Sequence, residues 1–234
     1  MGAKMIFHIA YITNGKRNDF IKLSVSAFEK IVGLEDELKF YFVGNLQGDT
    51  ELMNKGKYQH FVEKDHQGWI TRKKNIAKDL IKELSNSEDI VLILADDVAP
   101  TKKVLENLKK HVANGVEIVA PKIIKNLKHP NLRTFDWCSI GGDKGHTLLC
   151  FDDIDDHAYI DGSTMIVKAA VLDKVVWNED LFINQMEDVE LSRRLIKNAI
   201  IRGAKDVVFY GPYQNWPRSS KPALCKNPQD CTCQ

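Results

Sequence analysis

The sequence predicts one α/β domain whose mainly parallel sheet is flanked by helices. Two observations predict it. Short, almost wholly apolar runs recur along the 234-residue chain, the pattern of strands buried on both faces. Between them apolar residues return at helical spacing, and strands separated by helices in this way pair in parallel with helices on both sides. A chain of this length buries a sizeable core.

Met5 to Ile12 reads as the first buried strand. Asn18 to Val32 follows as a helix with Ile21, Val25, Phe28 and Val32 along one face. Leu38 to Val43 is a second strand, ended by Gly44-Asn45, and Tyr58 to Val62 a short third. Trp69 to Leu84 is a helix whose apolar face is Ile76, Leu80 and Leu84, beside Ala77 and Ile81. Ile90 to Leu94 is the cleanest strand; it runs into Asp96-Asp97 and Pro100, ahead of a helix from Lys102 to Val112. Val116 to Ala120 is a strand that Pro121 is expected to close, because proline donates nothing to a sheet. From Lys122 to His157 Pro, Gly and Asp clusters replace any helical period, so an irregular insertion is expected there. Regularity returns with Tyr159 to Lys168, a helix starting near Ala169, a helix from Glu187 to Ile200, and a last strand from Asp206 to Tyr210. Residues 1–210 form the expected domain, and 211–234, rich in Pro, Ser, Lys and Asn, an expected mobile tail.

Composition narrows the function classes. Thirty-three Lys and Arg nearly cancel 32 Asp and Glu, so no field favours nucleic acid or a strongly anionic membrane as partner. The longest apolar run, Ile90 to Ala95, falls far short of the ~20 residues of a membrane helix; peripheral membrane contact stays open. Met1 to Ile12 carries Lys4 and His8 within its apolar stretch and reads as a core strand, not a signal peptide. Five cysteines, an odd number, argue against an extracellular disulfide framework and for the cytoplasm.

Ligands of open α/β sheets collect at the carboxyl ends of strands, and three features lie there. The strand from Ile90 delivers Asp96 and Asp97 side by side. Their repulsion is relieved if a cation binds, and oxygen ligands suit Mg²⁺ or Mn²⁺; a plain turn before a helix accounts for them equally well. Glu187 and Asp188 open the last long helix, downstream of Asp161-Gly162. The helix N-terminus should keep Asp188 ionised and able to take a proton from a hydroxyl, although acidic residues in a first turn are commonly dipole partners only. Gly68-Trp69-Ile70-Thr71-Arg72-Lys73-Lys74-Asn75 opens a helix with basic residues that suit a diphosphate. More often such a cluster is a solvated face.

Their order carries more than any one of them. A basic helix opening, a strand ending in acidic residues and a later Glu-Asp helix opening resemble the family 2 glycosyltransferases of the GT-A fold, over roughly Ile6 to Gly203. Ile90 to Pro100 looks like that family's DxD segment. Asp161 to Leu195 looks like its Gly-containing strand and its later helix, here Glu187-Asp188 through Leu191, Arg194 and Leu195. The resemblance implies a Rossmann-like, mainly parallel GT-A domain with Mn²⁺ or Mg²⁺ as cofactor. It also implies inverting transfer of a sugar from a nucleotide-diphosphate donor, UDP-sugar foremost, to a hydroxyl of a glycan or glycoconjugate. Position by position it implies Asp97 as metal ligand, Asp96 at the donor's ribose or sugar, Asp188 as general base and Glu187 as its orienter. Tyr11, Thr13 and Asn14 would hold the nucleoside, with Asn45 where an Asp often reads the base. Lys74-Asn75 would stand near the donor in place of the usual Arg-Asn pair, and Asp161 would line the donor site. Departures are plain: Ala95 replaces the first Asp of DxD, Ala10-Tyr11-Ile12-Thr13 lacks the usual proline, and no His follows His157.

Other features rank lower. Asp153-Ile154-Asp155 follows no apolar strand, and Cys225, Cys231 and Cys233 lack zinc-type spacing. His146 and His157 need no role. Trp137, Tyr213 and Trp216 are read as packing before sugar stacking. Two other classes stay open: a sugar nucleotidyltransferase, of whose Gly-rich basic loop Asn14-Gly15-Lys16-Arg17 is a poor imitation, and a degenerate GT-A domain that binds without turnover.

Overall fold

The computed structural model describes residues 4–61, 69–124, 136–141, 146–181 and 186–211. Its main sheet starts with β1 (Ile6–Thr13), β2 (Glu37–Gly44), β3 (Lys57–His60) and β4 (Ile90–Ala95). It is completed by β5 (Ala99–Pro100), β6 (Ile118–Ile124), β10 (Thr164–Lys168) and β11 (Ile201–Tyr210). The order across it is β3-β2-β1-β4-β10-β6-β11-β5. The pairs β1 with β2, β1 with β4, β2 with β3 and β6 with β11 are parallel. Strand β10 runs antiparallel between β4 and β6, so its first residues meet the carboxyl end of β4. A second, antiparallel sheet of β7 (Trp137–Ile140), β8 (His146–Leu148) and β9 (Ala158–Ile160) has β7 in the middle.

Helices cover both faces. On one, α1 (Asn18–Ile31) buries Ile21, Val25 and Phe28, and α4 (Val104–Ala113) buries Leu105 and Leu108, against Ile9, Leu92 and Leu94. On the other, α3 (Ile70–Lys82) and α5 (Glu187–Ile196) bury Ala77, Ile81, Leu191 and Leu195 against Val91 and Ile93. Strand β4 therefore needs apolar residues at successive positions, which is why its sequence shows no alternation. Among the described residues no helix is long and apolar enough to cross a membrane.

The α/β expectation is met, with differences at particular elements. Helix α2 (Thr50–Lys55), capped where Leu52 N–H donates to Asp49 at 3.2 Å, is too short to show a period. Pro121 lies inside β6 and does not close it. The register with β10 runs through Ile118 and Val119, and β11 is irregular between Ala204 and Val208, so the missing N–H falls where the ladder is already interrupted. The 122–157 segment is not wholly irregular, since it contributes the end of β6 and the short strands β7 and β8. Tyr159 to Lys168 is divided by a turn at 161–163 between β9 and β10, which belong to different sheets. The helix near Ala169 is a 3₁₀ segment, Ala169–Lys174. Strand β3 ends at His60, and Val62 lies outside the described residues, as does the 212–234 tail.

Gly44, paired with Thr13 at the end of β2, holds a φ of +134°, and a Cβ there would stand 1.9 Å from the Thr13 carbonyl oxygen. Both β1 and β2 are central, so neither can retreat. Gly44→Ala is expected to lower the free energy of unfolding by about 3–5 kcal/mol, the sum of backbone strain and overpacking. Urea titration with an unchanged m-value is the check, and a loss within 1 kcal/mol would show that the strand ends yield.

Candidate active site

Parallel pairing of β1 with β4 brings Thr13 and the Ala95–Asp97 segment to one edge of the sheet. Antiparallel β10 brings the 161–163 turn to the same edge, where Ala95 N–H donates to the Ser163 carbonyl at 2.8 Å. Helix α5 opens above that turn: Gly162 N–H donates to Asp188 Oδ2 at 3.1 Å. The approach is close: a Cβ at Gly162 would lie 3.2 Å from Glu187 Oε1 and 3.3 Å from both Asp188 Cβ and Lys74 Nζ, so those side chains would have to give by a few tenths of an ångström. Helix α3 reaches the same cleft. Its first half buries Lys73, Lys74 and Asn75, where a purely structural helix would bury apolar residues.

The carboxylates are tightly partnered. Thr13 Oγ1 donates to Asp96 Oδ2 at 3.0 Å and accepts from Gly15 N–H at 2.9 Å. Arg17 Nη1 lies 2.8 Å from Asp97 Oδ2 and 3.4 Å from Asp96 Oδ1. Lys73 Nζ donates to the Thr13 carbonyl at 3.2 Å. Lys74 differs. Its side chain is only 3% exposed, and its ammonium sits 3.7 Å from Glu187 Oε1 and 5.5 Å from the centroid of the Trp177 ring. That ammonium makes no hydrogen bond among the described residues.

Burial, with Glu187 and Asp161 nearby, pushes the Asp188 carboxyl up to about 6, against the opposing pull of Lys74 and the Val189 N–H. The helix opening does act in the direction expected from sequence. Val189 N–H reaches Asp188 Oδ1 at 2.9 Å, but desolvation and two like charges outweigh it.

The structure gathers Thr13, Asp96, Asp97, Asp161, Lys74, Glu187 and Asp188 at this edge, sets Asn14 and Asn45 just past the strand ends there, and places Tyr11 and Asn75 elsewhere. Tyr11 is a core residue and not a cleft residue. It is fully buried on the α1 face, with its hydroxyl 2.7 Å from Ser24 Oγ and its ring stacked on Phe42, because it lies two residues short of the end of β1, where α1 covers the strand. Asn75 is a strut. Its Nδ2 donates to the Trp177 carbonyl and to Glu179, and its Oδ1 accepts from Trp177 N–H, which occupies the amide. Asn14 and Asn45 stand just beyond β1 and β2, each accepting from the backbone N–H two residues on, Lys16 at 3.1 Å and Gln47 at 2.8 Å, as turn asparagines do. Asp161 accepts from Ser163 N–H at 2.7 Å and from its hydroxyl. Arg72 of the basic opening is engaged by Glu179 at 2.9 Å, and Gly68 lies outside the described residues.

Arg17 and Lys73 received no individual role from sequence, where Lys73 stood within the basic helix opening and Arg17 within the Asn14–Arg17 loop; the structure sets Arg17 beside Asp96 and Asp97 and Lys73 on the Thr13 carbonyl. Asp155, of the discounted Asp153-Ile154-Asp155, accepts from Ser139 Oγ and His157 N–H, a local turn. Trp137 is fully buried. Cys138 is buried and Cys150 half-buried, while Cys225, Cys231, Cys233, Tyr213 and Trp216 lie outside the described residues.

The donor set for a metal is thin. Among the described residues no group of three His, Cys, Asp or Glu is arranged to hold an ion. Asp96 and Asp97 alone suit a hard cation that keeps its waters and takes substrate phosphates as further ligands, and do not suit an ion caged wholly by protein.

No family model and no curated protein sequence matches the chain. Solved structures do. The crystal structure of S. aureus TarS superposes with a TM-score of 0.62 at 17% identity, over 89% of this chain and 37% of that one. TarS 1–349 gives 0.60 at 16% identity, over 89% and 60%. TarS 1–349 in complex with UDP-GlcNAc gives 0.61 at 16% identity, over 93% and 61%. This chain thus spans between 37% and 61% of the length of those structures. The shared fold is the GT-A fold expected from sequence.

Proposed function

We propose that the cleft binds a nucleotide-diphosphate sugar, a UDP-sugar foremost, and transfers its sugar with inversion to a hydroxyl of a glycan or glycoconjugate. Lys74 carries the reading. A buried ammonium without a hydrogen-bond partner is costly, and a diphosphate lying beside Gly162 would supply the acceptors it lacks. The neighbouring structure solved with UDP-GlcNAc supports the donor class.

In this reading Asp188 takes the acceptor's proton as the hydroxyl attacks the anomeric carbon from the face opposite the diphosphate. A carboxylate lifted to about 6 is a stronger base than an ordinary one and still ionised at neutral pH. Glu187, beside Lys74, orients the acceptor. Lys73 fixes the end of β1 through the Thr13 carbonyl, and Thr13 in turn aims Asp96. Asp97, with Asp96 beside it, would hold Mn²⁺ or Mg²⁺, which when bound neutralises the leaving diphosphate.

Calorimetric titration of UDP, with and without Mn²⁺, tests the donor site. Binding is expected with Mn²⁺ and is expected to weaken at least about 10-fold without it or in Asp97→Ala, the order of one lost charge-assisted contact. Absence of binding by UDP, GDP and dTDP alike would sink the reading.

A further inference from the structure

We propose that Asn75 is a positioning residue for the donor: by gripping the backbone of Trp177 it sets the Trp177 ring against Lys74 and so fixes where the Lys74 ammonium stands. The inference rests on the reading of Lys74 as a diphosphate contact. Three observations carry it.

The first is that no hydrogen bond among the described residues holds that ammonium. Lys74 Nζ meets Glu187 Oε1 at 3.7 Å and lies over the Trp177 ring, 5.5 Å from its centroid. A flexible four-carbon stem carries the charge, so the wall beside the stem decides where the charge stands. The buried Trp177 indole is such a wall.

The second is that Asn75 fixes the wall. Its Nδ2 donates to the Trp177 carbonyl at 2.9 Å, and its Oδ1 accepts from Trp177 N–H at 2.9 Å. Among the described residues both backbone hydrogen bonds of Trp177 therefore go to Asn75. The same Nδ2 reaches Glu179 Oε1 at 3.0 Å, which fixes the plane of the amide. Asn75 follows Lys74 directly on α3. One buried side chain thus ties the helix turn that carries the ammonium to the residue on whose ring it rests.

The third is that the rest of the contact does not need Asn75. Trp69 Nε1 donates to the Glu179 carbonyl at 3.0 Å, Thr71 Oγ1 to the Leu181 carbonyl at 2.9 Å, and Arg72 Nη1 to Glu179 Oε2 at 2.9 Å. These bonds hold residues 179–181 to the start of α3 whatever stands at position 75. What Asn75 adds is the hold on Trp177. A charge already in place binds phosphate better than one that must be ordered on binding, because ordering a long side chain costs affinity.

The test is a double-mutant cycle on UDP affinity, read by calorimetry with Mn²⁺ present, on the native chain, Asn75→Ala, Lys74→Met and the double variant. Asn75→Ala is expected to weaken UDP binding about 5- to 10-fold in the native background and less than about 2-fold once Lys74 is Met. Melting curves establish that all four are folded, and Asn75→Ser, which keeps a polar group toward Trp177, replaces Asn75→Ala in the cycle if the alanine variant is not. An equal loss in both backgrounds would overturn the inference, because Asn75 would then act on the fold at large and not through Lys74. Native UDP affinity in Asn75→Ala would also overturn it and leave Asn75 a strut for stability alone. With Lys74→Met weakened, either result leaves the donor reading intact. Native UDP affinity in Lys74→Met, or absence of binding in all four, would overturn the reading of Lys74 and this inference with it.

Discussion

Replacing Asp188 by Asn is expected to lower the rate of sugar transfer by about 10³-fold, within the range that a positioned general base supplies, while UDP binds within about 3-fold of native. Asn keeps the shape of the side chain and can still accept from Gly162 N–H, which lies 3.1 Å from Oδ2, but it cannot take a proton. In the proposed role the same residue is expected to set the acid limb of the pH profile. The base must be unprotonated to work, and its carboxyl is raised to about 6. Activity in the native chain should therefore be full above that pH and fall about tenfold per pH unit below it. An ordinary Asp would hold activity to near pH 4. Glu187 and Asp161 contribute to the raised value, so the limb belongs to the coupled group. The residual activity of Asp188→Asn should lose it. Steady-state transfer assays across pH, with UDP titration of the variant, check both statements. Loss of UDP binding in Asp188→Asn would move Asp188 out of the base role.

Lys74→Met is expected to have the next largest effect. UDP affinity should fall about 10- to 100-fold, as for removal of a charge-assisted contact to phosphate, while folding stability changes by less than about 1 kcal/mol. Methionine keeps an unbranched stem against Trp177. The ammonium that is lost makes no hydrogen bond among the described residues and meets Glu187 only at 3.7 Å. The Glu187 side chain, 10% exposed, retains some contact with water. Binding is read by calorimetry and stability by urea unfolding at the same pH. A large stability loss with native UDP affinity would make Lys74 a structural partner of Glu187 and nothing more.

Much of this protein was legible in one dimension. Apolar runs such as Ile90 to Leu94 and helical spacing such as Ile21, Val25 and Phe28 depend on local periodicity, and burial on both faces of a sheet dictates that periodicity directly. The chemistry-bearing pairs Asp96-Asp97 and Glu187-Asp188 were legible because each follows or opens a regular element, where side chains reach the edge of a sheet. Other assignments depended on contacts between distant segments. Tyr11 and Thr13 sit two residues apart on one strand, yet Tyr11 meets Ser24 and Phe42 in the core while Thr13 meets Asp96 at the cleft. Both lie on the same face of β1, so only what packs over each position along that face decides it. Asn75 looked like half of a donor-binding pair, but its amide is occupied by residues 177–179, a hundred positions away in the chain. Pro121 looked like a stop until the sheet supplied a place where its missing N–H costs little. Sequence by itself determined the α/β class and the carboxylates at its edge, because hydrophobic period and strand ends are local properties. Tertiary structure alone decided that Arg17 bridges Asp96 and Asp97, that Lys74 is buried without a hydrogen-bond partner among the described residues, and that Asp188 is raised to about 6, because distance, desolvation and charge coupling exist only once separate segments meet.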